Sequence, residues 1–588
     1  MNPKRGYLRQ AKKSSNSFDG PTKRLQILAV LFSLLAVFLV LRLFNVQVLQ
    51  HSFYQALASG QHELYEKLFP SRGEISVQDR YADNGLYTIA TNNTLSLLYA
   101  VPKHIDNVDE TVDKILPYLD LDKETVQTRL NKEDDLYEPL KHKVTEFEKG
   151  RIEKLALDGI YFTDEDWRYY PEKNYMSHLT GFVGFSEDEK VGLYGLEGYF
   201  DEELSGVQGF LRSEKDAGGR LIPIGDKMIE EAVDGDDLVL TIDHNIQYYA
   251  CLKLQESVDR HGANKGSVII VNPKTGAIIA MCNYPDFDPN YYEEEENLEV
   301  YMNTAVSDQY EPGSVFKIFT MAAGLDMGKV TPQTTYEDTG EVQIGPYTIM
   351  NSDGSANGTQ TMVDVLEKSL NTGSIFVADQ VGANNFYRYI SNFGFGDKSG
   401  IDITGENNGD LSGLETGKEI YMATGSFGQG LTVTPIQLVM AAAAIANQGT
   451  LMKPYIVEKI IKPDGTEMVS VPQEVRQIIS PSTASSLAAM MVKVIDNGHA
   501  IRAQVDGYYM AGKTGTAQVP NANGSGYDAH RHKDSFVGFG PLADPQFVIL
   551  AKIDEPKDVL WSASSAAPLF GDIAEYIVNY LQIPPDKI

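Results

Sequence analysis

One apolar run near the N-terminus constrains the chain most strongly. Residues 25–44 are almost all apolar, and the polar exceptions are Gln26, Ser33 and Arg42. About 20 such residues suffice for a helix to cross a bilayer. Seven basic residues and one acid precede Leu25, so the tail carries +6 and the remainder −37 of the net charge of −31. Because basic flanks stay on the cytoplasmic side, we predict a cytoplasmic tail over 1–24, a single-pass anchor over 25–44 in the cell membrane, and an extracytoplasmic remainder.

A cleaved signal peptide is the alternative to this anchor. Ala56-Leu57-Ala58 has the small-residue pattern of a cleavage site. However, the apolar run is longer than the core of a usual signal peptide, and the triplet lies well beyond its end. The uncleaved anchor is therefore favoured.

Composition excludes some other classes of protein. The 588 residues are 42% hydrophobic and 22% charged, which is typical of globular domains. The acidic balance argues against a nucleic-acid-binding protein, which would carry a basic surface. Cys251 and Cys282 are too few for a disulfide framework, and no cysteine or histidine spacing typical of a metal site occurs. Two separate core thiols are favoured over one bridge, which an extracytoplasmic location would leave possible.

Local patterns predict an α+β domain in the C-terminal part, with an antiparallel sheet covered by helices. Two β-rich runs flank the turn residues Asn272–Gly276, which indicates a hairpin. A continuous apolar stretch over Ser314–Met327 predicts a buried helix that ends at Gly328. Further predicted elements are strands at Gly512–Ala517, Ser535–Gly540 and Phe547–Asp554 and amphipathic helices at Met362–Ser369 and Ala566–Leu581.

The first motif with chemical content is Ser314-Val315-Phe316-Lys317. Residues three apart on a helix share one face, so the Ser314 hydroxyl and the Lys317 amine should meet. A serine is a weak nucleophile until a base removes its proton. Apolar neighbours would lower the pKa of Lys317, so that its neutral amine could be that base.

The second motif is Ser369-Leu370-Asn371, where a hydroxyl could relay a proton and an amide could hold a lysine and a substrate carbonyl. Ser355-Ala356-Asn357 has the same spacing, but it lies among turn-forming residues and is interpreted as structural.

The third motif is Lys513-Thr514-Gly515-Thr516. On a strand edge, its ammonium and two hydroxyls could bind a carboxylate, and Gly515 would let a substrate backbone approach closely. Lys274-Thr275-Gly276 resembles it but lies at the predicted hairpin turn, so we interpret it as structural.

The three motifs, in this order, are those of penicillin-binding proteins and serine β-lactamases. The whole chain from the anchor onward resembles a class B penicillin-binding protein. The resemblance extends to shared segments outside the three motifs: Arg72-Gly73-Glu74-Ile75, Asp79-Arg80, Gly195-Leu196-Glu197-Gly198, Leu204-Ser205-Gly206, Tyr310-Glu311-Pro312-Gly313, Ser426-Phe427-Gly428-Gln429-Gly430 and Thr434-Pro435-Ile436-Gln437-Leu438.

This resemblance implies a non-catalytic pedestal or dimerisation domain over 45–233 and a transpeptidase domain of the penicillin-binding, serine β-lactamase-like fold over 234–588. It implies cross-linking of D-Ala-D-Ala stem peptides through an acyl-enzyme, inhibition by β-lactams, and a role in cell division or elongation. No metal or cofactor is expected, and a polytopic glycan polymerase is the expected protein partner. The implied site residues are catalytic Ser314, Lys317, Ser369, Asn371 and Lys513, substrate-binding Thr514, Gly515 and Thr516, and an oxyanion hole formed by the backbone N–H groups of Ser314 and Thr516.

Two other functions fit the same features. A β-lactamase or β-lactam sensor would use the same fold, and a catalytically silent scaffold would use the same pedestal and anchor. His530 and His532, which flank Arg531, are interpreted as a solvated basic loop in preference to a substrate contact.

Overall fold

The computed structural model describes residues 63–68, 70–132, 135, 137–186, 189–214, 228–521 and 526–587. The predicted anchor at 25–44 lies outside these ranges. Within them, no helix combines the length and the apolar character that membrane spanning requires.

The strands are, in chain order, β1 (Glu63–Leu68), β2 (Ile75–Gln78), β3 (Leu86–Ala100), β4 (Glu138–Val144), β5 (Ile160–Tyr169), β6 (Phe182–Ser186), β7 (Glu189–Leu193), β8 (Gly209–Glu214), β9 (Met228–Glu230), β10 (Asp237–Asp243), β11 (Lys265–Val271), β12 (Ile278–Tyr284), β13 (Thr335–Asp338), β14 (Glu341–Ile344), β15 (Tyr347–Met350), β16 (Gly358–Thr361), β17 (Thr450–Met452), β18 (Val457–Ile461), β19 (Glu467–Val469), β20 (Glu474–Gln477), β21 (Ala511–Pro520), β22 (Tyr527–Gly540) and β23 (Phe547–Asp554).

The α-helices are α1 (Val108–Ile115), α2 (Lys123–Leu130), α3 (Glu146–Glu153), α4 (Ser177–Thr180), α5 (Gly195–Tyr199), α6 (Asp201–Ser205), α7 (His244–His261), α8 (Thr304–Ser307), α9 (Lys317–Asp326), α10 (Met362–Glu367), α11 (Asn371–Val381), α12 (Ala383–Asn392), α13 (Ser412–Glu415), α14 (Glu419–Gly425), α15 (Pro435–Ala446), α16 (Pro481–Asp496) and α17 (Ala566–Tyr580). Short 3-10 helices that matter for the site lie at Gly313–Phe316 and Ser562–Ser564.

The chain divides into two compact units. The smaller comprises Met1–Phe69 and Gln208–Ala232, and its described strands β1, β8 and β9 form an antiparallel sheet. The larger comprises Pro70–Val207 and Val233–Ile588.

A seven-stranded sheet in the larger unit joins segments that are far apart in the sequence. Its order is β19-β18-β10-β2-β3-β4, with β5 also paired to β3. Strand β10 pairs in parallel with β2 on one side and antiparallel with β18 on the other. This sheet therefore contains strands from both of the predicted domains, and the predicted boundary at 233/234 stays a prediction.

A five-stranded antiparallel sheet of order β12-β11-β23-β22-β21 carries the third motif. The predicted hairpin at 267–281 is confirmed as β11 and β12, and the three predicted C-terminal strands are confirmed as β21, β22 and β23. Phe536 of β22 packs against Phe570 of α17, with ring centroids 4.7 Å apart, so α17 covers the face that carries Phe536. The predicted α+β domain, an antiparallel sheet covered by helices, is confirmed.

Cys251 in α7 and Cys282 in β12 form a disulfide, with their Cα atoms 5.3 Å apart. The favoured prediction of two separate thiols is wrong. The helix α7 packs against the edge strand β12, and this tertiary contact brings together two residues that are 31 positions apart.

Candidate active site

The nucleophile turn is a 3-10 helix over Gly313–Phe316 that leads directly into the buried helix α9. Gly313 has a positive φ of 61° and donates from its N–H to the carbonyl oxygen of Gly428 at 3.0 Å. A side chain on Gly428 would collide with the Gly313 carbonyl oxygen, because its Cβ would lie 2.3 Å from that atom. The segment Ser426–Gly430 therefore packs closely, backbone against backbone, on the turn that carries Ser314.

The first two motifs meet at hydrogen-bond distance. Lys317 Nζ donates to Ser314 Oγ at 3.0 Å, as the spacing on one helical face predicts. The same Nζ lies 2.5 Å from the Ser369 carbonyl oxygen and 3.2 Å from Ser369 Oγ. Ser369 lies between α10 and α11 with a positive φ of 60°, a strained conformation for a non-glycine residue. This conformation turns both of its oxygens toward Lys317.

The third motif completes the group. Lys513 Nζ donates to Ser369 Oγ at 3.0 Å, so the Ser369 hydroxyl lies between two lysine amines. Both lysine side chains are buried. Burial, reinforced by the charge of Lys513, holds the pKa of Lys317 well below its usual range. Burial lowers the pKa of Lys513 to about 7. Burial therefore favours the neutral form of the Lys317 amine, which lies 3.0 Å from the Ser314 hydroxyl.

Gly515 has a structural reason to be a glycine, and its predicted contact with a substrate backbone stays a prediction. Its Cβ would lie 2.7 Å from Ser535 Oγ, 2.9 Å from the Pro312 carbonyl oxygen and 2.9 Å from Val315 Cγ1. The position that a Cβ would take is therefore filled by Ser535 and by the turn that carries Ser314. Since alternate residues of a strand face opposite sides, Lys513 and Gly515 face the nucleophile turn, and Thr514 and Thr516 face the α17 side.

Gly515→Ala is expected to reduce the rate of penicillin acylation by about tenfold or more, because the new methyl group would displace the turn that carries Ser314. Stopped-flow or gel-based labelling with a fluorescent penicillin measures the rate. Gly150→Ala is the control, since Gly150 lies in the helix α3 and its Cβ would meet no atom within 4 Å. Equal acylation by Gly515→Ala and the unmodified protein would contradict this account.

The hydroxyls of the third motif are already hydrogen-bonded. Lys513 Nζ contacts Thr514 Oγ1 at 3.3 Å, and Thr516 Oγ1 contacts Ser562 Oγ at 3.1 Å. Thr516 is paired with Asp534 across β21 and β22. Because Gly515 abuts Pro312 and Val315, the N–H of Thr516 belongs to a strand that runs beside the turn of Ser314.

Asn371 is the predicted site residue that lies apart from the lysines. It begins α11, and its side-chain amide donates to the Met350 carbonyl oxygen at 2.9 Å. Among the described residues it has no hydrogen bond to either Lys317 or Lys513. The predicted lysine contact of Asn371 is therefore absent from this conformation.

The second Ser-x-Asn triplet supports the catalytic one. Asn357 donates to Asp338 Oδ2 at 2.7 Å, and Thr372 Oγ1 donates to Asp338 Oδ1 at 2.7 Å. Thr372 follows Asn371, and its N–H donates to Asn351 Oδ1 at 3.2 Å. The structural interpretation of Ser355–Asn357 is confirmed, and Asp338 and Asn351 are supporting residues that sequence reasoning missed. No local pattern marks them, because only the fold brings them to the start of α11.

Two hydroxyls also tie the motif helices together. Thr320 of α9 and Ser374 of α11 donate to the Ser426 carbonyl oxygen at 2.7 and 2.6 Å, respectively. All three residues are buried. The Ser426 carbonyl oxygen thus joins α9, which follows Ser314, and α11, which follows Ser369, to the segment that contains Gly428.

The interpretation of His530–His532 as a solvated loop is wrong for His532. Both histidines lie in β22, where His532 is buried and contacts Asp534 Oδ1 through Nδ1 at 2.8 Å. The pattern of basic residues resembled a loop, but exposed Arg531 and buried His532 are successive residues that face opposite sides of a strand.

The pH dependence of acylation should reveal the lowered lysine pKa values. Protonated Lys317 cannot accept the Ser314 proton, so the rate should fall about tenfold per pH unit on the acid side. Because burial lowers the pKa of Lys317, we expect the plateau to begin well below the pH of about 10.4 that an ordinary lysine would require. Lys274→Ala, which removes the exposed lysine of the decoy motif, should leave the profile unchanged. A plateau reached only near pH 10 would contradict the assignment of Lys317 as the base.

Comparison with known proteins agrees with this geometry. Residues 266–575 match the penicillin-binding protein transpeptidase domain, and residues 67–240 match the penicillin-binding protein dimerisation domain. Stage V sporulation protein D of Bacillus subtilis is 33% identical over 574 residues, which cover 96% of this chain and 87% of that protein. The chain belongs to the class B penicillin-binding proteins.

Two further proteins are similar to most of this penicillin-binding protein. A probable peptidoglycan D,D-transpeptidase, PbpC of Pseudomonas aeruginosa, is 31% identical over 459 residues, covering 76% of this chain and 77% of that protein. The crystal structure of penicillin-binding protein 3 from Mycobacterium tuberculosis complexed with aztreonam superimposes with a TM-score of 0.68 at 25% identity. It covers 88% of this chain and 98% of that one.

Proposed function

We propose that Ser314, Lys317, Ser369 and Lys513 carry out the peptidoglycan D,D-transpeptidase reaction of this penicillin-binding protein. The protein is a serine-type D-Ala-D-Ala transpeptidase that acts in cell-wall synthesis and is inhibited by β-lactams. The observation that carries the assignment is the hydrogen-bonded chain from Ser314 Oγ through Lys317 and Ser369 to Lys513, with steps of 3.0, 3.2 and 3.0 Å.

In the first half-reaction, neutral Lys317 accepts the Ser314 proton while Oγ attacks the carbonyl carbon between the two D-alanines. The resulting oxyanion accepts hydrogen bonds from the N–H groups of Ser314 and Thr516, an arrangement typically worth about 100-fold or more in rate. Collapse of the tetrahedral intermediate breaks the C–N bond and leaves an ester on Ser314.

The departing D-alanine needs a proton and a site for its carboxylate. Ser369 Oγ donates that proton, and the lysine amines on either side replace it with the proton taken from Ser314. Thr514 and Thr516 bind the carboxylate. Asn371 is assigned to the substrate carbonyl, since its amide bonds a main-chain carbonyl in the free enzyme. An amine of a second stem peptide then attacks the ester and runs the same proton transfers in reverse.

The test combines adduct mapping with turnover. We expect a fluorescent penicillin to give one covalent adduct, on the peptide that contains Ser314, with a lifetime of minutes or longer. With a donor peptide that ends in D-Ala-D-Ala and an added amine acceptor, we expect release of D-alanine and a cross-linked product. Ser369→Ala should suppress both reactions, and Ser355→Ala, at the decoy motif, should suppress neither.

Each other outcome identifies an alternative. Rapid release of the adduct by water would indicate a β-lactamase. Folded protein with no adduct and no turnover would indicate a scaffold. An adduct on another serine would overturn the assignment of Ser314.

We also propose that the protein is anchored in the cell membrane with its catalytic domain outside the cytoplasm. The apolar segment at 25–44 with its basic tail supports this orientation. The disulfide between Cys251 and Cys282 also supports it, because structural disulfides are typical of oxidising compartments. A protease added to intact protoplasts should degrade the catalytic domain and spare an N-terminal tag. Protection of the catalytic domain would contradict the orientation.

A polytopic glycan polymerase is the proposed protein partner, bound through the anchor and the pedestal. The dimerisation-domain match at 67–240 supports an interaction role for the pedestal. Photo-crosslinkers placed at exposed pedestal residues such as Phe147 should capture a multi-spanning membrane protein. Capture of soluble proteins alone would contradict this choice of partner.

A further inference from the structure

Thr516 is held by a residue outside the three motifs. The backbone N–H of Ser562 donates to Thr516 Oγ1 at 3.1 Å, and the two hydroxyl oxygens are also 3.1 Å apart. Because the N–H occupies one lone pair of Thr516 Oγ1, the hydroxyl is left to act as a donor. In the free enzyme its acceptor is Ser562 Oγ.

The loop that carries Ser562 is fastened to the sheet by a buried polar chain. Ser565 Oγ donates to Asp534 Oδ2 at 2.5 Å, and Asp534 Oδ1 contacts His532 Nδ1 at 2.8 Å. His532 Nε2 lies 3.2 Å from the Val559 carbonyl oxygen. Asp534 and Ser565 have no exposed surface, and Ser562 is 1% exposed.

This series of buried hydrogen bonds also has an electrostatic role. Asp534 pairs with Thr516 across the two strands, so a buried carboxylate lies next to the residue that is to bind a substrate carboxylate. Uncompensated, this charge would repel the substrate. The hydrogen bond to Asp534 raises the pKa of the His532 imidazole and so favours its protonated form, whose charge compensates that of the carboxylate.

We propose that Ser562 is a positioning residue for recognition of the substrate carboxylate, and that Asp534 and His532 hold it in place. The proposal rests on the proposed role of Thr516 in binding that carboxylate. Ser562 restricts Thr516 to one rotamer with its hydroxyl proton available. An incoming carboxylate then replaces Ser562 Oγ as the acceptor of that proton.

The test compares two acylating agents that differ only in the carboxylate, benzylpenicillin and its methyl ester. Second-order acylation rates are measured on the full-length protein for Ser562→Ala, Thr516→Val and Asp534→Asn. Ser564→Ala is the matched control: it lies in the same 3-10 helix, and its hydroxyl has no partner among the described residues. Thermal unfolding shows that each variant is folded.

We expect Thr516→Val to slow acylation by the free acid about tenfold and Ser562→Ala about three- to tenfold, consistent with a weakened hydrogen bond to a charged group. A higher concentration of the free acid should be needed to reach half of the limiting acylation rate, and the limiting rate itself should not change. The methyl ester should acylate both variants at nearly the same rate as it acylates the unmodified protein. Asp534→Asn should behave like Ser562→Ala, and Ser564→Ala should change neither reaction.

The outcomes separate this proposal from the one on which it rests. If Thr516→Val slows only the free acid while Ser562→Ala and Asp534→Asn slow neither agent, or slow both equally, the positioning role is overturned and the role of Thr516 stands. If Thr516→Val changes the rates with the acid and with the ester equally, both the carboxylate-binding role of Thr516 and the positioning role of Ser562 are overturned.

Discussion

Exchange of Lys317 for methionine is expected to lower the rate of penicillin acylation by about 1,000-fold or more. Methionine keeps the length and apolar character of the buried side chain but cannot accept a proton. Ser314 then lacks the base that lies 3.0 Å from its hydroxyl. We expect the residual rate to approach that of Ser314→Ala, which cannot form the ester at all.

The same exchange is expected to raise the stability of the protein. Burial and the charge of Lys513 lower the pKa of Lys317 in the folded state, whereas the unfolded chain has an ordinary lysine pKa of about 10.4. Between these two values the unfolded state binds more protons than the folded state, so this lysine destabilises the fold. The penalty shrinks as pH rises toward the unfolded pKa, and methionine removes it. The gain in melting temperature should therefore be larger at pH 6 than at pH 9.

Labelling kinetics and calorimetry at both pH values measure these effects. Lys274→Met is the matched control, because Lys274 is exposed and pairs with Asp544 at the hairpin turn. It should change neither acylation nor the pH dependence of the melting temperature. Acylation within tenfold of the unmodified rate, or a melting temperature lowered at pH 6, would contradict the role of Lys317.

Exchange of Glu197 for glutamine is expected to destabilise the protein by about 3–5 kcal/mol. Glu197 is fully buried, and its two oxygens contact Arg72 Nε and Arg168 Nε, each at 2.6 Å. Burial alone would raise the pKa of Glu197, but the two guanidinium groups outweigh it and lower that pKa. Glutamine would remove the carboxylate that Arg168 and Arg72 share, and Arg72 would keep only its ion pair with Asp201 at 2.8 Å.

Urea unfolding gives the free-energy difference between the variant and the unmodified protein. Glu202→Gln is the control, because Glu202 is exposed on the neighbouring helix α6. A Glu197→Gln protein within about 1 kcal/mol of the control would show that the paired charges contribute little to stability.

Most of the catalytic group was predictable from the sequence because its contacts follow from local geometry. The spacing of Ser314 and Lys317 dictates one helical face, and the alternating strand places Lys513 and Gly515 on one side. The order of the motifs and the turn chemistry around Ser355 also separated the true motif from its decoy. The strands of the five-stranded sheet were recognisable from their β-rich runs.

What the sequence did not reveal depends on contacts between distant segments. Cys251 and Cys282 are bridged because α7 packs on β12. Gly515 is required by Pro312 and Val315, which precede it by about 200 residues. Asp338 acts at the start of α11, and His532 acts through a loop that begins beyond β23. No periodicity or spacing encodes such pairings.

The pairing of β10 with both β2 and β18 bears on how this protein can be divided. A recombinant catalytic fragment that starts after the dimerisation-domain match would lose β2 and residues 237–240 of β10, which are the residues that pair with β18, and would leave β18 with an open hydrogen-bonding edge. Exposed edges of this kind promote aggregation. A chimera that takes residues 67–240 from one relative and the remainder from another would therefore pair β10 of one parent with β18 of the other, so β18 has to be matched to its new neighbour whenever the pedestal is exchanged.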